Sequence, residues 1–170
     1  MYKKKITNKK AFTLAETLVA TLILLMVSAI VAAGIPVAKN AYEKVVVKAN
    51  AEVVMSTAIN ALRNELSVAN DIEVTGDTTI TYSSGTYGSR SKIFVDEEGI
   101  EYVRYSTSTP GGTAEEKSRL VSKSASDNLT VTYDKAEYDS TTSIIEFTNL
   151  RVLKGNKTFV ERTPLSISVI

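Results

Sequence analysis

The chain has no cysteine and no histidine. The first absence excludes disulfides, thiol nucleophiles and Cys-ligated zinc, and it leaves the compartment open, because many exported proteins also lack cysteine. The second excludes a Ser-His arrangement despite the many serines and threonines, and no Ser-Lys dyad has a recognisable context. No enzymatic activity is expected. Proline is scarce at three residues in 170, and one of them, Pro36, stands within an apolar run. Acidic charge is missing from the first eleven residues, which carry Lys3, Lys4, Lys5, Lys9 and Lys10. Of 20 basic groups, 15 therefore lie beyond them against 19 acidic ones, a net of −4. The body of the protein is no polyanion binder by bulk charge. Lys44 and Lys48 form a basic patch too small to argue nucleic-acid binding.

What is present is a long apolar segment. Residues 17–38, "TLVATLILLMVSAIVAAGIPVA", contain no charge in 22 positions. At about 1.5 Å per residue they span roughly 33 Å as a helix, enough for a hydrocarbon core of about 30 Å. Lysines before the segment and a mildly acidic body after it fit a cytoplasmic N-terminus and an exported C-terminus. Nothing else in the chain is apolar enough to surround such a helix as a buried core element. From Lys39 the helical period persists but becomes amphipathic, with Tyr42, Val45, Val46, Ala49, Val53, Ile59, Leu62, Leu66 and Ala69 forming the expected apolar stripe. No strong breaker intervenes, so one helix is expected from about Phe12 to about Ala69, roughly 85 Å long. Gly34 and Pro36 are its weak points. Pro36 has no N–H for the carbonyl of Ala32, and a kink or local melting is expected there.

After Asn70 the period changes to two. The runs 78–83, 92–95, 100–106, 118–123, 129–133, 142–153, 158–162 and 165–170 alternate apolar and polar residues and read as antiparallel strands. "DEEG" (96–99) and "KGNK" (154–157) lie between such runs and read as hairpin turns, with Gly99 and either Gly155 or Asn156 at positive φ. Residues 107–117 read as a loop. The expected architecture is α+β: a long N-terminal helix, transmembrane then amphipathic, packed on one C-terminal antiparallel sheet.

The stretch "KKAFTLAETLVATLILLMVSAIVAAGIPVAKNAY" resembles the N-terminus of the type IV pilin-like family: a lysine-rich leader, a small residue, then Phe-Thr-Leu-x-Glu opening an apolar helix. The resemblance covers roughly residues 3–42. It implies a pilin-like fold and removal of the leader, 1–11, by a prepilin peptidase cutting between Ala11 and Phe12. It further implies N-methylation of Phe12 and delivery through an inner-membrane assembly platform into a filament of pilin-like subunits joined by their N-terminal helices. The expected divisions are then 1–11 leader, 12–38 transmembrane and filament-core helix, 39–70 amphipathic helix, and 71–170 exoplasmic sheet head. The family usually has glycine before the cut where this chain has Ala11. The extra methyl should slow processing, which favours a minor pilin or a pseudopilin over an abundant major subunit.

Glu16 is the chemically informative position. An ionised carboxylate inside an apolar segment is costly without water or a partner. Before cleavage it can sit at headgroup level near Lys9 and Lys10. After cleavage Phe12 carries a free α-ammonium, and the amine of a neighbouring subunit could pair with Glu16 and fix the axial register. No cofactor is expected. Asp134, Glu137 and Asp139 in "YDKAEYDS" (133–140) offer hard oxygen donors of the kind calcium takes, but they lack EF-hand spacing and suit a solvated acidic turn.

Two other readings stay open. "VAAG" (31–34) can be read as a signal-peptidase site with Gly34 as the new N-terminus, giving an ordinary secreted protein. An uncleaved anchor would give a membrane-bound exoplasmic module. N-terminal sequencing separates the three outcomes. Coexpression with a prepilin peptidase is expected to leave Phe12 as the first residue, and Ala11→Gly to speed the cut. A start at Gly34, or an unchanged mass beside an active peptidase, would overturn this expectation.

Overall fold

The computed structural model describes residues 13–86, 89–105, 114–122 and 126–170. Ala11, Phe12 and the leader lie outside the described residues, as does most of the expected loop 107–117. The chain divides into two units, residues 1–44 and 45–170.

One helix, α1, runs from Leu14 to Leu66. Its described residues before Val45 are all exposed. They include the most apolar window of the helix, with a mean hydropathy of 2.7, long and apolar enough to cross a membrane. The hydroxyls in this run are satisfied by their own helix. Thr17 Oγ1 donates to the Leu14 carbonyl at 2.9 Å, Thr21 Oγ1 to Leu18 at 2.9 Å, and Ser28 Oγ to Leu24 at 2.8 Å, so none needs water. The helix continues through Gly34 and Pro36, in keeping with the expectation of a kink at most in the isolated chain. A proline removes one ladder bond, and the turns on either side keep theirs. A side chain at Gly34 would meet nothing within 4 Å, so no contact within the chain requires glycine there.

In the second unit α1 buries Ala51, Val54, Met55, Ala58, Leu62 and Leu66. This stripe has the expected spacing but not the expected phase. Leu62, Leu66 and Ala69 are buried as anticipated, whereas Val45 and Val53 are 67% and 65% exposed. The helix is apolar on two sides here, and periodicity alone does not choose between them. The side that packs carries Ala51 and Ala58, whose small side chains let the sheets approach closely.

Among the described residues eleven strands follow, paired antiparallel in three sheets rather than the single sheet expected. The first sheet holds β1 (Asn70–Thr75), β2 (Thr79–Ser83), β3 (Arg90–Asp96), β4 (Gly99–Tyr105) and β5 (Ala114–Arg119) in that order. Two three-stranded sheets are built from β6 (Thr130–Thr132), β7 (Lys135–Asp139), β8 (Ile144–Thr148), β9 (Leu150–Lys154), β10 (Lys157–Arg162) and β11 (Leu165–Ser168), ordered β10-β9-β6 and β11-β8-β7. The expected strand 142–153 is two strands, because Asn149 adopts a left-handed conformation (φ 55°) and turns the chain from one sheet to the other. β1 and β7 were not anticipated, and β5 begins within the expected loop. All three are rich in polar residues and are held by backbone pairing with their neighbours.

Both expected hairpins form. In the β3–β4 turn the Glu98 N–H donates to Asp96 Oδ1 at 2.7 Å, and Gly99 has φ 116°. A Cβ at Gly99 would lie 2.9 Å from Thr130 Cγ2 and 3.0 Å from the Val131 carbonyl, so glycine also permits β6 to approach the first sheet. In the β9–β10 turn Gly155, with φ 58°, takes the left-handed position. The three sheets and α1 close on one core that contains Tyr82, Phe147, Leu62, Ile93, Ile145 and Leu150. Within it the Tyr133 and Phe147 rings meet edge to face at 5.0 Å.

Leu62→Ala is expected to destabilise the second unit by about 2 to 5 kcal/mol, the range for a large core side chain. Val53→Ala should stay within about 0.5 kcal/mol, as for exposed positions. Chemical unfolding of the full chain in detergent, followed by circular dichroism, checks both. Equal effects would mean that the helix packs in the phase first expected.

Candidate functional site

The helix N-terminus is built from Thr13 and Glu16. The Thr13 N–H donates to Glu16 Oε2 at 2.8 Å, and Thr13 Oγ1 donates to the same oxygen at 2.9 Å. In return the Glu16 N–H donates to Thr13 Oγ1 at 3.3 Å. This is a capping box: the side chain at the N-cap and the acid three residues later each satisfy a backbone donor that the first turn leaves unbonded. A negative charge at this end also complements the helix dipole. Glu16 therefore has a partner inside its own chain, a capping box that "TLAE" (13–16) spells in the sequence. Glu16 shares an open, mostly apolar patch of the helix surface with Ala15, Val19, Ala20 and Ile23. A fixed anion with apolar neighbours can receive a cation, provided water is excluded. The other expected partner in this chemistry, the amine of Phe12, lies outside the described residues.

The three acidic residues at 134–139 are brought to different tasks. Asp134 sits where the chain passes from β6 to β7 and accepts hydrogen bonds from Arg151 Nη2 and, at 2.9 Å, from Asn149 Nδ2. The Asp134 N–H also donates to the Thr148 carbonyl at 3.1 Å. The β6–β7 and β8–β9 corners are thus fastened to each other. Glu137 pairs with Lys135, whose ammonium is held above the usual lysine range by that hydrogen bond. Asp139 caps the following turn, accepting from the Thr141 N–H at 2.8 Å and from Thr142 Oγ1 at 2.9 Å. The backbone bond from Thr141, more than the Thr142 hydroxyl, holds its carboxyl below the usual aspartate range. Among the described residues no three metal-ligating side chains are grouped to hold an ion.

A cavity of about 260 Å³ lies between α1 and the first sheet, lined by Glu65, Ile93, Tyr102, Arg104 and Glu116 among others. Its charges answer one another: Arg104 Nη2 donates to Glu116 Oε2 at 2.5 Å, and the Tyr102 hydroxyl donates to Glu65 Oε1 at 3.5 Å. This chemistry suits the fastening of an edge strand.

No protein-family model matches this chain, and no curated protein and no solved structure matches it significantly.

Asn149→Ala is expected to cost about 1 to 2 kcal/mol, because alanine lacks the short polar side chain that lets asparagine occupy the left-handed region and also loses the bond to Asp134. Asn149→Gly keeps the backbone conformation and should cost less. Millimolar calcium should leave the unfolding midpoint of the wild-type chain unchanged. A calcium-dependent rise abolished by Asp139→Asn would show that the acidic stretch binds the ion after all. Because the Asp139 carboxyl is lowered on folding, its contribution is present above the unfolded aspartate range and is lost as pH falls through the folded value. Asp139→Asn should accordingly narrow the gap between stability at neutral pH and at about pH 3.

Proposed function

We propose that this chain is a structural subunit, a minor pilin or pseudopilin, of a type IV pilus-like filament serving type II secretion, adhesion and motility, or competence. Before assembly it crosses the cytoplasmic membrane once, N-terminus inside, and is processed by a prepilin peptidase between Ala11 and Phe12. An assembly platform then moves it into a cell-surface filament, where its helix packs with those of other pilin-like subunits. The observation that carries the reading is an exposed apolar helical run, free of charge over residues 17–38, with a single carboxylate, Glu16, in the helix's first turn, soon after a lysine-rich stretch and a small residue.

In this reading Glu16 has two successive partners. In the membrane it is occupied by Thr13. In the filament it pairs with the α-ammonium of Phe12 on an adjacent subunit, in surroundings dry enough that an unpaired charge is strongly disfavoured. Residues near Gly34 and Pro36 loosen as helices crowd together, at modest cost because one ladder bond is already missing. The capping box also favours a second reading, an uncleaved membrane-anchored exoplasmic module, since it gives Glu16 a local role that needs no neighbour.

Substitutions at 13 and 16 separate the two. Glutamine serves a capping box as well as glutamate does but cannot form an ion pair. Under the filament reading Glu16→Gln and Glu16→Ala are processed normally, yet enter filaments beside wild-type subunits at least about a hundredfold less well, the loss expected when one member of a buried pair is removed. Thr13→Ala breaks the box, keeps the charge, and should assemble within about tenfold of wild type, the scale of a lost N-cap. Processing and filament incorporation are measured for all three in the same cells. Normal incorporation of Glu16→Gln with failure of Thr13→Ala would leave capping as the only role of the acid, and absence of the wild-type chain from filaments would favour the anchored module.

A further inference from the structure

We draw no further inference here: the strongest candidate, the exposed apolar face that Val45, Ala49 and Val53 form on α1 opposite its buried stripe, carries none because nothing in the structure shows what covers it.

Discussion

Among the described residues, nothing covers the apolar first half of α1, which is long enough to cross a membrane. From Leu14 to Val37 the large apolar side chains are each at least 53% exposed. Covering a half-exposed leucine or valine is worth on the order of 1 kcal/mol, so thirteen of them come to roughly 10 kcal/mol or more, as much as the whole stability of a typical domain. Such a helix needs a lipid bilayer or other apolar helices around it. Either surrounding removes the water that would otherwise satisfy polar groups, and Thr17, Thr21 and Ser28 meet that condition by returning their hydroxyls to the carbonyls of their own helix, as Thr57 also does in its second half. A free hydroxyl in either place would be costly.

The second half of the same helix obeys the ordinary rules of a soluble core. Its buried stripe lies under three sheets, and those sheets are separate because the chain changes direction at two neighbouring corners. Asn149 supplies the left-handed residue at one. Asp134 supplies the acceptor at the other, taking hydrogen bonds from Asn149 and Arg151. Each corner would be weak alone. Joined, they let β6 and β9 face one way while β7 and β8 face another, and hydrophobic residues of both sheets, such as Val152 and Ile145, reach the same core.

Much of this was legible beforehand. The helix was expected at about 12–69 and is found at 14–66, because an apolar run of that length admits little else. The hairpins at Gly99 and Gly155 were legible because a tight turn needs a residue free to take positive φ. The misses have physical causes as well. β5 ("AEEKSR") carries no apolar alternation, while β1 ("NDIEVT") and β7 ("KAEYD") alternate only two apolar residues each among polar and charged ones; such segments become strands because a neighbouring strand offers its backbone, which no single-segment pattern records. The phase of the buried helical stripe was missed because valines occupy both sides of α1. Asp134 read as part of a solvated acidic turn because its partners, Asn149 and Arg151, lie 15 and 17 residues further along the chain.

Glu16 shows how one acid can answer to two constraints without conflict. A carboxylate that had to wait in the membrane with no hydrogen bonds would favour protonation or withdrawal of the helix toward the headgroups. The Thr13 amide and hydroxyl remove that difficulty by providing two donors from the same turn. Hydrogen bonds to an anion do not cancel its charge, and in the proposed filament that charge would gain most where an ammonium approaches it with water excluded. In the proposed filament, capping and pairing would be sequential uses of one side chain. The first makes the isolated helix tolerable in an apolar medium. The second gives a neighbouring helix, in the proposed filament, a reason to stop at one axial position rather than slide along a surface of interchangeable leucines and valines.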